Sequence, residues 1–351
     1  IFEMSQNWGS GDEYEDFPCD VFYMDLNGPW EDLTNGGSFA AGKYDTRRGN
    51  LAAEIWVSRM KTANLSSLGN QTNLLMKYFS KNHRYRTGKL VPNRRALTYA
   101  DDDWGYMAYD DAESQAWIYG DAHSAGVRDI ETTSAADYKA NHMPRNYELM
   151  MVRSHGYSGG HGFYTNSRAT FNYVYCSDYR QLTPRALFYS FYVCSGADFA
   201  AANNLGGTAA FNTNDSGLVS WGSTKTGGMW DDEYFYVPLA GGETIGEGFR
   251  QWLNDMQSWY PSSAPRWFWG MVVLGDGSLR LGVTRTVPAG TVLSGGGFVN
   301  QWIAVAGEKY RLQQTTNLVA AAWTNACAIT AAVYGVCFTN PADDAVVRIY
   351  R

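Results

Sequence analysis

This chain has few histidines, few cysteines, little charge and no long apolar run. Its 351 residues hold five histidines and five cysteines, too few for a metal-dense or disulfide-dense framework. No Cys/His spacing fits a zinc site, and His155 and His161 lie in Gly-rich sequence with no Cys pair nearby. No stretch approaches the roughly 20 apolar residues that a membrane-spanning helix needs, so no membrane span is expected. Basic runs stop at pairs such as Arg47-Arg48 and Arg94-Arg95, and the formal net charge is −7. That balance argues against a nucleic-acid surface. Lysine is sparse. No signal peptide opens the chain, and Ile1-Phe2-Glu3-Met4 reads as a start in mid-protein.

What is present is a folding composition. Hydrophobic residues make up 45% and charged residues 18%, enough for a substantial core and inconsistent with disorder. Aromatic content is 15%, with 13 Trp and 24 Tyr. Together with abundant Gly and Asn, this mix suits a secreted or surface-attached bacterial protein. Cys327 and Cys337 flank an expected hairpin and are candidates for a disulfide; Cys19 and Cys176 either pair or stay as buried thiols. Cys194 is left over under either reading.

The strongest signal is a pair of strand ends. Tyr147 to Ser154 runs straight into His155-Gly156, and Ala186 to Val193 runs straight into Cys194-Ser195-Gly196. Each is a mostly apolar run bounded by turn residues, the pattern of a strand buried in a parallel sheet. Ligands of open α/β sheets sit outside the carboxyl ends of such strands. If the two strands are neighbours, an imidazole and a thiol face one crevice, the minimum for a cysteine nucleophile with a histidine partner. The alternative for each is a core thiol and a loop-capping histidine.

Strands are expected near 19–26, 52–60, 95–100, 125–132, 171–176 and 217–221, with a strand pair over 267–283. Helices are expected after Leu68 (Leu75, Tyr78 and Phe79 on one face), over 111–119, from Ser134 to His142, and from Ile245 to Met256. The alternation predicts an α/β fold, a mostly parallel sheet flanked by helices. After about 285 the texture changes to short alternating runs. The expected organisation is a domain over 1–284 followed by a small β-sandwich-like, all-β C-terminal domain over 285–351.

In this order the pieces resemble the gingipain-type cysteine peptidases, relatives of caspases and legumains. Val21-Phe22-Tyr23-Met24-Asp25-Leu26 resembles an early tyrosine–aspartate segment of that family. Glu54 to Met60 resembles its valine–glycine–arginine strand, with Ser58 in place of Gly. The His155-Gly156 and Cys194 strand ends match its catalytic pair. Leu274-Gly275-Asp276-Gly277-Ser278-Leu279 resembles its glycine–aspartate–proline–serine–leucine ending, with Gly277 in place of Pro.

The resemblance covers about residues 17–283 and implies a caspase-like sheet and endopeptidase chemistry on protein or peptide substrates. Cys194 would attack, His155 would act as general acid, and the amides of Gly156 and Cys194 would form the oxyanion hole. The missing side chain of Gly156 would let substrate approach its amide. Asp101, with Asp102 next, matches the carboxylate that orients the histidine. Asp111 would form the base of a pocket for Arg or Lys and Trp230 its wall. The chemistry requires no cofactor. The run Asp101-Asp102-Asp103 also reads as a solvated turn or a structural calcium site. His161 reads as a solvated loop residue, and Trp267, Phe268 and Trp269 as core. Relatives carry sequence before the part matched here, so the catalytic domain is expected to lack its N-terminal part, with its own processed fragment as a candidate partner. The competing expectation is a catalytically inactive relative acting as a structural or surface-interaction protein.

Overall fold

The computed structural model describes residues 1–7, 12–32, 42–127 and 133–282, together with the strands Thr291–Ser294, Gly297–Trp302, Lys309–Thr315, Thr324–Thr330, Val336–Pro341 and Val346–Tyr350. The chain divides into two compact units, residues 1–83 with 92–282, and residues 84–91 with 283–351.

Nine strands of the first unit position the site: Ala96–Ala100 (β1), Ser124–Val127 (β2), Leu149–Arg153 (β3), His155–Tyr157 (β4), Gly160–Thr165 (β5), Thr170–Tyr175 (β6), Phe188–Tyr192 (β7), Val219–Ser223 (β8) and Met271–Gly275 (β9). Six of them form one sheet in the order β9-β8-β7-β3-β1-β2. All neighbours in it run parallel except β9, which is antiparallel to β8. Strands β4, β5 and β6 form a separate antiparallel sheet that starts where β3 ends.

Every residue of β1, β3, β8 and β9 is buried, as expected where helices cover both faces of a sheet. The longer helices are Gln71–Arg86 (α1), Ala108–Tyr119 (α2), Leu205–Phe211 (α3), Glu233–Ala240 (α4) and Ile245–Trp259 (α5). Helix α5 buries Ile245, Phe249, Trp252, Leu253 and Met256, the apolar stripe that its sequence spacing predicts. The Thr244 hydroxyl caps it by accepting the Glu247 N–H at 3.2 Å. On one side of the sheet Tyr99, Tyr138, Phe163, Tyr179, Tyr189 and Phe191 belong to a single buried cluster.

Several expectations need correction. Residues 21–24 are a short helix rather than a strand, because Val21 and Met24, three apart, are the pair that buries. Residues 52–60 run without a ladder, joined to the sheet by a single bridge between Arg59 and Leu274. In α1 the buried apolar positions are Leu74, Tyr78 and Tyr85, while Phe79 faces solvent. The strand pair expected over 267–283 is the single strand β9. It ends at Gly275, whose φ of +109° few side chains tolerate. Beyond it the Asp276 carboxylate accepts from the Ser278 N–H and hydroxyl. In the second unit, the strand holding Cys327 pairs with Lys309–Thr315, and the strand holding Cys337 pairs with Gly297–Trp302. The two therefore lie in different three-stranded sheets and form no hairpin with each other. The disulfide reading there concerns side chains outside the described set.

Candidate active site

The parallel register of β3 and β7 sets Arg153 opposite Tyr192. His155 and Cys194 each follow two residues later, so both emerge at the same edge of neighbouring strands, about 4.8 Å apart in a sheet. The ladder extends past the last pair, as the Ser154 N–H donates to the Tyr192 carbonyl at 3.1 Å. Strand β1 joins the same edge, where the Asp101 N–H donates to the Arg153 carbonyl at 2.8 Å.

A tight turn presents Cys194. The Gly196 N–H donates to Val193 O at 3.0 Å, and Ser195 takes a left-handed φ of 54°. The Ser195 N–H is tied to Lys225 O at 2.7 Å, beyond the end of β8. Cys194 is a free thiol at intermediate exposure. Cys19 and Cys176 are free and buried, which closes the alternative that they pair. Burial pushes the Cys19 thiol up to about 12 and that of Cys176 up to about 11, so neither offers a thiolate near neutral pH.

The imidazole of His155 is oriented by Asp103, not by Asp101. Its Nε2 lies 2.6 Å from Asp103 Oδ2. Arg168 grips the same carboxylate through both terminal nitrogens. The Arg168 guanidinium first, and His155 second, hold the Asp103 carboxyl below the usual carboxylate range. Trp104 packs against the His155 ring at a centroid distance of 4.5 Å.

Asp101 points inward instead. Its Oδ1 accepts the Tyr164 N–H at 2.8 Å, and the residue is fully buried. Burial raises its carboxyl from 3.8 to about 6. Along a run of three aspartates the tertiary contact decides which carboxylate reaches the ring. Here the strand ends at Ala100, and the helical turn over Asp102–Met107 carries Asp103 up to it.

Asp111 is not a free pocket base. Arg153 Nε and Nη2 meet its two carboxylate oxygens at 2.5 and 2.6 Å, in a site closed to solvent. Asp232 adds a contact to Arg153 Nη2 at 3.3 Å. Burial, then the Asp111 charge, pushes the Asp232 carboxyl well above its ordinary range.

Trp230 is held against Tyr192 and Trp267. Its indole N–H donates to the Tyr192 hydroxyl at 2.7 Å, and its ring stacks on Trp267 at 4.7 Å. Tyr192 in turn covers Arg153 and meets the Trp104 ring at 5.5 Å. Of the expected core aromatics, Phe268 and Trp269 are buried and Trp267 is only partly so.

The absence of a side chain at Gly156 serves packing. A Cβ there would meet Gly160 O at 2.5 Å, Val193 Cγ1 at 2.6 Å and His161 Cα at 2.8 Å. His161 is no solvated loop residue. It is fully buried, with Nε2 3.0 Å from the Tyr179 hydroxyl, and burial lowers its pKa from 6.5 to about 3. Sequence reasoning missed Asp103 as orienting group, and it missed Arg168 and Tyr192 entirely. Position within the Asp run is a signal for the first; nothing in the sequence marks the other two.

No family model matches this sequence, and no curated protein matches it. A solved structure described as "Structure of Protease" superposes with a TM-score of 0.51 at 13% identity, covering 86% of this chain and 75% of the other. The chain shares the fold of a protease. A crystal structure of the Arg-specific cysteine proteinase gingipain R superposes with a TM-score of 0.48 at 11% identity, covering 85% of this chain and 75% of that one. No helix among the described residues is long and apolar enough to cross a membrane.

Proposed function

We propose that this protein is a cysteine endopeptidase in which Cys194 is the nucleophile and His155 its acid–base partner. The observation that carries the reading is the shared sheet edge: thiol, imidazole and carboxylate leave three adjacent parallel strands at one level. With Nε2 turned to Asp103, the nitrogen left for proton transfer is Nδ1. The thiolate sulfur forms a bond to the scissile carbonyl carbon. The C–N bond then breaks as Nδ1 gives its proton to the leaving amine. Water attacks the thioester, releases the acid, and returns a proton to the pair. The amides of Gly156 and Cys194 are the proposed donors to the oxyanion.

Cleavage after Arg or Lys belongs to the same proposal as its finer arm. It requires a carboxylate other than the one Arg153 already holds, or release of Asp111 from that pair. The composition supports an exported bacterial enzyme. The test is hydrolysis of fluorogenic peptides that differ only at P1 (Arg, Lys, Asn, Asp), with Cys194→Ala alongside. Turnover that vanishes in the variant is expected, together with iodoacetamide labelling of Cys194 ahead of Cys19 and Cys176. Turnover that survives Cys194→Ala would refute the reading.

A further inference from the structure

One oxygen from each of Asp101 and Asp103 and one ring nitrogen of His155 lie within 4.8 Å of one another. Such atoms can close on one ion by small side-chain rotations, since ligands about 2.0 Å from a metal lie roughly 3 Å apart. A second observation concerns a member of this cluster: Asp101 is fully buried, and while its Oδ1 accepts the Tyr164 N–H, its Oδ2 has no hydrogen-bond partner among the described residues. A buried carboxylate oxygen without a partner is costly, and it needs a donor or a cation. Arg168 already pairs with Asp103, while Asp101 has no ion pair among the described residues. The cluster is open to small solutes, with the His155 side chain 43% exposed and that of Asp103 30% exposed.

We infer that Asp101, Asp103 and His155 form a binding site for a divalent transition cation, zinc above all, at the catalytic histidine. The donor set decides the class. An imidazole nitrogen with two carboxylate oxygens suits zinc or manganese, whereas calcium takes oxygen ligands alone. Binding replaces the hydrogen bond between Asp103 and His155 with two metal bonds and engages a lone pair of the ring. The consequence for turnover rests on the peptidase reading: a metal-bound His155 is no longer held by Asp103 for proton transfer, so the ion inhibits. Arg168 competes with the ion for Asp103.

The experiment is calorimetric titration of the metal-stripped Cys194→Ala protein with zinc, manganese and calcium chlorides in turn. This background removes the thiolate as a rival zinc ligand. One equivalent of zinc is expected to bind, more tightly than calcium. Asp101→Asn and Asp103→Asn should each weaken zinc by at least about tenfold, with circular dichroism confirming that the metal-free variants are folded. Arg168→Gln, at a half-exposed position, should tighten it. The proposal is overturned if zinc binding persists unchanged in both Asn variants. It is equally overturned if zinc binding seen in the wild type is lost in Cys194→Ala, or if calcium binds as tightly. Should Asp101→Asn fail to fold, the opposed effects of Asp103→Asn and Arg168→Gln decide. Zinc inhibition of the wild type, reversed by a chelator, is read separately. Absence of any peptide turnover leaves the binding result standing while removing the peptidase reading.

Discussion

Asp111 and Arg153 show how a single contact redirects a functional reading. As a pocket base, Asp111 could be changed with effects on substrate choice alone. Held by two short hydrogen bonds from a buried guanidinium, it is part of the core. Asp111→Ala should therefore destabilise the fold by about 3 kcal/mol, since it leaves the buried Arg153 charge to the longer contact with Asp232 at 3.3 Å; chemical denaturation measures this. Unchanged stability with an altered P1 preference would restore Asp111 to the pocket. His161 offers a second test. Its pKa falls from 6.5 in the unfolded chain to about 3 in the fold. The unfolded state then binds the extra proton, so this stability is complete above pH 6.5 and fades as the pH drops toward 3. Between pH 6.5 and 5, His161→Phe should lose about 2 kcal/mol less than the wild type. Tyr179 keeps a hydroxyl partner in that variant, because Tyr138 Oη lies 3.0 Å away. Parallel denaturation curves at the two pH values would contradict it.

At the scale of elements, much was legible before any coordinates. The central strands announced themselves as apolar runs because parallel strands are buried on both faces. Their carboxyl ends then located His155 and Cys194. Helix α5 was legible because one face carries its apolar residues at regular spacing. Less visible were elements whose shape depends on distant partners, such as the short helix Val21–Met24, the unladdered segment 52–60 and the choice among Asp101, Asp102 and Asp103. One pair of local departures becomes intelligible only together. Ser58 and Gly277 each break the pattern of the family they resemble, and the Gly277 N–H donates to Ser58 Oγ at 3.1 Å. Proline at 277 has no N–H to give, and glycine at 58 has no hydroxyl to receive it. Ser58→Ala should cost about 1 kcal/mol in a thermal or chemical melt. In a chain already carrying Gly277→Pro, the same change should cost nothing further; an equal cost in both backgrounds would show that the bond is not the link.

Across the whole molecule, the division of labour between the two units follows from where the strands are spent. All six strands of the central sheet come from residues 96–275, and none from the β-rich segment after 282. The change of texture near 285 was readable because a helix-bearing pattern gives way to short alternating runs. The pairing inside the second unit was only partly readable: Gly297–Trp302 and Lys309–Thr315 each pair with a chain neighbour, but Val336–Pro341 and Val346–Tyr350 reach back across intervening strands. For the first unit, the position of the three functional turns has a further consequence. They leave β1, β3 and β7, which lie side by side within the sheet rather than at its rim. No hinge or fraying edge separates the reacting groups, so there is no partial way to take them apart. Heating should extinguish the proposed peptide hydrolysis and the near-ultraviolet circular dichroism of the buried tyrosines along one superimposable curve. A catalyst that faded several degrees before its aromatic core would show that the turns melt on their own. On this expectation the first unit melts as a single cooperative object, and the site's working temperature range is that of its sheet.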